Sequence, residues 1–225
     1  MSSSFEEILA GARRVSGDHY SPVEIDRLLI YYRLVMKWNE RLHLTTLISP
    51  DNFYQRHIME SEMASGLIRI PTRELWDLGS GLGIPGLPIA VLRPEMQISL
   101  VESSRTKTVF LEEAITTLGL KNANVICDRI ENLKAAPESS CLTARAIEKM
   151  EKLIPEILRI GSASSQLIVF GGERIKQVLL ESSAPNRQYL IPGSKNRFLY
   201  QIVFHVERRK EDYEKDVNNE INEIE

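Results

Sequence analysis

Between Glu74 and Gly86 the chain reads Glu-Leu-Trp-Asp-Leu-Gly-Ser-Gly-Leu-Gly-Ile-Pro-Gly, an apolar run that breaks into four glycines within eight residues. No other segment constrains the fold as strongly. Glycine tolerates positive φ and lets a ligand approach the backbone without meeting a Cβ. A strand that enters such a turn and leaves it as a helix opens a βα unit. The chain beyond keeps that alternation. Gln97–Glu102 reads as a second strand ending in a carboxylate, Thr106–Leu118 as an amphipathic helix, and Asn124–Asp128 as a third strand, again ending acidic. Cys141–Ala144 is a fourth strand, Glu148–Ile160 a helix, and Gln166–Phe170 a fifth strand, followed by Gly171-Gly172 and another helix. Strands alternating with helices specify a parallel sheet with right-handed crossovers. Arg187–Ile191 and Phe198–Val206, separated by the turn Pro192-Gly193-Ser194, add an antiparallel edge. The expected fold class is α/β, a Rossmann-like sheet of seven strands, mostly parallel, with an antiparallel C-terminal edge.

Ahead of this the chain is helical. Ser21-Pro22-Val23-Glu24 is a capping box with proline at the first helical position. Leu28, Leu29, Tyr32, Val35, Met36 and Leu42 follow at helical spacing, and Ser49-Pro50 opens a further helix. We divide the chain into a helical cap (1–70), a sheet domain (71–206) and a charged tail (207–225). The tail holds eight acidic and four basic residues, so the rest of the chain, with 24 basic and 23 acidic, is almost neutral. A nucleic-acid partner would therefore need a local basic patch. The tail reads as a solvated helix or a disordered end. With 225 residues, 43% of them hydrophobic, a globular core is expected. No apolar run approaches the ~20 residues of a membrane span, and Met1 to Glu7 lacks signal-peptide character, so a cytoplasmic protein is expected. Two cysteines, Cys127 and Cys141, are too few for a cysteine-bound metal cluster, and no metal is expected.

Ligands of open α/β sheets bind beyond the carboxyl ends of the strands. Gly79, Ser80, Gly81, Gly83 and Ile84 would cradle one, with Glu102 and Ser103 ending the second strand and Asp128, Ile130 and Glu131 following the third. Glu102 can accept from both hydroxyls of a ribose, and Asp128 with Arg129-Ile130-Glu131 can flank an adenine. This points to a nucleoside cofactor. Pro85 and Pro88 remove amide donors where a dinucleotide would rest its pyrophosphate. Asp77, before the first glycine, suits a positively charged amino acid group. S-adenosyl-L-methionine is thus favoured over a nicotinamide, on a seven-strand methyltransferase fold. A nicotinamide-dependent oxidoreductase and a non-catalytic RNA-binding module stand as alternatives. Arg145, just past the fourth strand, is read as catalytic and cofactor-facing, Arg129 as catalytic and RNA-facing, and Lys107 and Arg197 as RNA-binding. For any one arginine, a structural salt bridge is the plain alternative. No Asn/Asp-Pro-Pro-Tyr/Phe segment marks an adenine amino-methylating enzyme, and neither cysteine follows a proline as a pyrimidine C5 nucleophile would.

The set Asn39…Leu44-Thr45, Arg56-His57-Ile58-Met59-Glu60-Ser61 and Asp77–Gly86 resembles the ribosomal RNA small subunit methyltransferase G family, also called glucose-inhibited division protein B. The likeness continues through Lys107…Phe110-Leu111, Arg129-Ile130-Glu131, Thr143-Ala144-Arg145-Ala146 and Arg197-Phe198-Leu199, over about residues 20–206. It implies S-adenosylmethionine-dependent methylation of a guanine N7 in the 530 loop of bacterial 16S rRNA. The partner would be that RNA or the small ribosomal subunit, met by a monomer. His43 stands where the family has asparagine, and Gly171 where it commonly has lysine, for which Lys176 or Arg174 would substitute. Guanine N7 carries a free lone pair and no proton, so its methylation needs positioning and not a base. Arg56-His57 accordingly reads as a clamp between cap and sheet.

Overall fold

The computed structural model describes residues 3–69, 72–161, 166–184 and 186–204. The helical reading of the tail, and the end of the last expected strand at Val206, lie outside them. The order is α1 (Phe5–Gly11), α2 (Pro22–Leu42), α3 (Pro50–Phe53), a π-helical turn (Tyr54–Met59), α4 (Glu60–Gly66), β1 (Glu74–Leu78), α5 (Gly86–Leu92), β2 (Gln97–Val101), α6 (Arg105–Thr117), β3 (Ala123–Ile126), a 3-10 turn (Ile130–Asn132), β4 (Cys141–Ala144), α7 (Met150–Gly161), β5 (Gln166–Gly171), α8 (Glu173–Glu181), β6 (Asn186–Leu190) and β7 (Phe198–Val203). The seven strands form one sheet in the order β3-β2-β1-β4-β5-β7-β6. β1 to β5 pair in parallel, and β7 runs antiparallel to both β5 and β6. The expected α/β class with its antiparallel edge is the observed one. Among the described residues no helix is long and apolar enough to cross a membrane.

Alternation along the strands sorts side chains into two cores. Leu75, Ile98, Leu100, Ile168 and Phe170 face α1, α2, α5 and α6, whereas Leu78, Val101, Leu167 and Val169 face α7 and α8. Each fully buried Leu or Ile contributes roughly 1.5–3 kcal/mol. α5 is buried at every residue because it lies between the cap and the sheet. It therefore reads as apolar all round. Cap and sheet share one continuous core. α2 starts at the expected capping box, with Ser21 Oγ accepting from Glu24 N and Glu24 Oε2 from Ser21 N. Ser4 and Glu7 repeat the device at α1.

Candidate active site

β1 is paired with β2 on one side and β4 on the other, which makes its carboxyl end the switch point of the sheet. A cleft of about 760 Å³ opens there. Its floor is the turn after β1, where Gly79, Gly81 and Gly83 have φ of +66°, +58° and +89°. The turn is tied down from several sides. Ser80 N donates to Val101 O (2.9 Å), Gly83 N to Ser80 O (2.7 Å), and Gly81 N to Glu102 Oε2 (2.9 Å). From the cap, Tyr31 Oη donates to Leu82 O at 2.7 Å. Glu102 Oε1 accepts from Ser104 N (2.8 Å), so each carboxylate oxygen holds one backbone donor and keeps capacity for another.

The expected residues separate into those that reach the cleft and those that do not. Gly79, Ser80, Gly81, Ile84, Glu102, Ser103, Lys107, Asp128, Arg129, Ile130, Glu131 and Arg145 line it. Gly83 does not. A Cβ there would lie 2.4 Å from Leu87 Cδ1 and 3.2 Å from Leu111 Cδ2, so this glycine is required by packing and not by a ligand. Gly81 is the opposite case, since the nearest atom to an added Cβ is Gly79 O at 3.8 Å. That Cβ would fill open cleft.

Asp77 also corrects the sequence reading. It alternates with Leu75 onto the face covered by α5 and is fully buried. There Oδ1 accepts from Thr143 Oγ1 (2.8 Å) and Oδ2 from Gly86 N (3.3 Å), so the carboxylate braces β4 and the start of α5 and cannot meet a ligand's amino group. Burial pushes its carboxyl from 3.8 up to about 6, against the pull of those hydrogen bonds and of Arg145. The folded protein thus holds a proton that the unfolded chain has released between pH 4 and 6, and the associated stability is lost as the pH rises through that window. Relative to Asp77→Asn, the wild type should lose stability from pH 4 to 6 and then hold a constant difference. Urea denaturation of both proteins from pH 4 to 7.5 measures this, and a difference between them that does not change with pH would refute it.

Arg145 reaches the cleft wall, but its guanidinium is engaged elsewhere. Nη2 donates to Arg56 O (2.6 Å) and lies 3.0 Å from Glu60 Oε2, and the group sits 5.0 Å from the Phe170 ring centroid. Arg197 is absent from the cleft wall and pairs with the same Glu60. Cap and sheet are thus joined through Arg56, Arg145 and Glu60. Lys176 and Arg174 lie on α8 outside the cleft wall, against Glu173 and Glu151, and do not replace the lysine absent at 171. A Cβ at Gly171 would meet Ile175 Cγ1 at 2.5 Å, so α8 packs where a side chain would begin.

The cap supplies cleft residues that the sequence reading did not assign to the site, Leu42 to Leu47 and the expected clamp Arg56-His57. Asn39 makes two hydrogen bonds with the Thr45 backbone, and Thr45 Oγ1 accepts from Leu47 N and meets His57 Nε2 at 3.1 Å. The Asn39-to-Thr45 spacing carries that signal. Burial, reinforced by Arg145 and Arg56, pulls the imidazole down to about 3, so His57 is neutral at physiological pH. Ala146, the last residue of the Thr143–Ala146 motif, and Ile147 and Glu148 after it are also on the wall.

A glycine cradle open to a ligand, facing a buried acid at the end of the adjacent strand, is built to hold a nucleoside-bearing cofactor. With the parallel sheet and its reversed β7, it defines an S-adenosylmethionine-dependent methyltransferase. A SAM-dependent methyltransferase from Aquifex aeolicus shares the fold at a TM-score of 0.55 and 12% identity, over 72% of this chain and 97% of that one. The METTL16 MTase domain does so at 0.52 and 12%, over 89% and 88%. The family model of rRNA small subunit methyltransferase G matches residues 24–199. The Ribosomal RNA small subunit methyltransferase G of Pseudomonas entomophila is 32% identical over 167 residues, 74% of this chain and 77% of that protein. Its namesake in Nitrosomonas europaea is 37% identical over 128 residues, 57% and 59% of the two chains. The chain belongs to the rRNA small subunit methyltransferase G family. The oxidoreductase and binding-module readings fall with that result.

Proposed function

We propose that this enzyme methylates N7 of a guanine in the 530 loop of bacterial 16S rRNA, acting in the cytoplasm as a monomer on the RNA or the small subunit. The observation that carries this reading is that one cleft is lined both by the Gly81 cradle with Glu102 and by the cations Arg129, Lys107 and Arg56. S-adenosylmethionine, when bound, supplies an electrophilic methyl group on a sulfonium. The space beside Gly81 accommodates its backbone-hugging part, and Glu102 takes its ribose hydroxyls with the acceptor capacity left on each oxygen. Asp128, Ile130 and Glu131 stand where they would border the adenine. Asp77 and Tyr31 act one step back by fixing the glycine turn.

On the acceptor side the exposed Arg129 and half-buried Lys107 meet a polyanion, and a guanidinium matches the O6/N7 edge of guanine. N7 attacks through its own lone pair, so the chain's task is alignment. A neutral His57 held by Thr45 fits a positioning role. The experiment is transfer from tritiated donor to 16S rRNA, followed by borohydride reduction and aniline treatment. A single cleavage in the 530 loop is expected. Labelled RNA that resists aniline, or that digests to methyladenosine or methylcytidine, would overturn the acceptor assignment.

A further inference from the structure

Where α4, β4 and β7 approach one another, three guanidinium groups converge on one carboxylate. Glu60 is 2% exposed; Arg145 Nη2 lies 3.0 Å from its Oε2, Arg56 Nε 2.9 Å from its Oε1, and Arg197 Nη1 against the same Oε1. Distant parts of the chain deliver them. Arg56 and Glu60 stand one turn apart at the junction of the π-helical turn and α4, Arg145 follows β4, and Arg197 precedes β7. Arg197 is set by backbone bonds, its N–H donating to Ser194 Oγ and its carbonyl accepting from Ile191 N.

Three positive charges stand against Glu60, and Asp77, ionised above about pH 6, acts on Arg145 from further off, so one positive charge remains in surplus around a carboxylate that water barely reaches. Burial lowers the proton affinity of Arg145, Glu60 raises it, and Arg56 and Arg197 lower it again. Donors are in surplus as well. Among the described residues Arg145 Nη1 has no acceptor, and Arg56 Nε, although close to Glu60, is out of line for a hydrogen bond. Those two nitrogens are themselves buried, so an anion meets the group through the exposed parts of Arg56, which lines the cleft, and of Arg197, their side chains being 35% and 29% exposed.

We propose that Glu60 is the positioning residue of a phosphate subsite: it holds Arg56, Arg145 and Arg197 as one cationic face, whose surplus charge takes a phosphodiester beside the nucleotide being methylated. Guanidinium groups suit this because they bind phosphate oxygens through paired, charge-assisted hydrogen bonds. The proposal rests on the RNA acceptor argued above. The other source of an anion, the carboxylate of the cofactor's methionine group, is an outcome of the test.

Arg197→Met and Arg56→Met keep length and lose charge. Each is compared with wild type for binding of a 530-loop RNA fragment between about 50 and 200 mM salt, and for S-adenosylhomocysteine and 5′-methylthioadenosine by calorimetry. Each loss should flatten the slope of log K against log salt by about 0.7, the value for one single-strand phosphate contact, and leave both nucleosides bound within about twofold. Glu60→Gln retains all three cations and should keep the wild-type slope or steepen it, while methyl transfer falls at least about tenfold through lost alignment. If that variant does not fold, the two methionine variants decide the matter. Unchanged slopes in both would overturn the subsite. So would an about tenfold loss of S-adenosylhomocysteine with 5′-methylthioadenosine spared, which would assign the arginines to the cofactor's carboxylate. Wild-type enzyme that methylates no 16S rRNA would overturn the acceptor reading and this subsite together, whereas active enzyme with unchanged slopes would overturn the subsite alone.

Discussion

Gly81→Val should give a folded protein that has lost S-adenosylhomocysteine binding, whereas Gly83→Val should give one that barely folds. Both positions have positive φ, so a β-branched residue costs about 1–3 kcal/mol of backbone strain at either. They diverge in what a side chain meets. At Gly81 it enters the cleft, and binding should fall by roughly a hundredfold or more, the equivalent of about 3 kcal/mol. At Gly83 it enters the buried contact between Leu87 and Leu111, adding an overpacking cost of about 1–3 kcal/mol to the strain. A chain this size loses roughly 2–4 °C of melting temperature per kcal/mol, so Gly83→Val should melt about 10 °C or more below wild type. Thermal melts and calorimetry on the pair test this. Equal behaviour of the two variants in both assays would show that the glycines are not differentiated as described.

Arg145→Ala should lower stability and methyl transfer together. Its guanidinium neutralises a buried carboxylate, bonds the Arg56 carbonyl and lies over Phe170, and the side chain is only 11% exposed. Removing a partner from a buried ion pair costs about 3–5 kcal/mol. Arg56 and Arg197 still face Glu60, so the lower end, about 3 kcal/mol, is expected here, or roughly 6–12 °C in melting temperature. Arg145→Lys keeps the charge and loses the fork, and should fall between the two. An alanine variant that melts with the wild type would show that the guanidinium does not carry the cap-to-sheet junction, whatever its activity.

The order of strands and helices was legible because its determinants are local: alternating apolar residues, acids at strand ends, glycines and prolines at turns. The same locality located Glu102, Asp128 and Ile130 at the cleft. What escaped was direction. Asp77 precedes the glycines as a ligand-binding acid would, but the period of two along β1 aims it at α5 beside Leu75. Gly81 and Gly83 are one letter in the sequence, and only the packing of Leu87 distinguishes them. The role of Glu60 had only part of a local signature, Arg56 four residues before it, since its other partners stand 85 and 137 residues further along the chain at Arg145 and Arg197. An arginine's partner across such a separation is fixed by topology, and no spacing rule reaches it.

The hydrogen bond from Tyr31 to the Leu82 carbonyl has a thermodynamic reach beyond its length. It makes the glycine turn a shared component of the cap and the cofactor wall. Whatever coupling that bond carries is reciprocal: the amount by which docked α2 favours the cofactor is the amount by which bound cofactor favours docking of α2. A substitution that loosens α2 is likewise felt as weaker cofactor affinity. Since α2 also leads into the Leu42–Leu47 rim, the same helix that holds the glycine turn positions the cap side of the cleft.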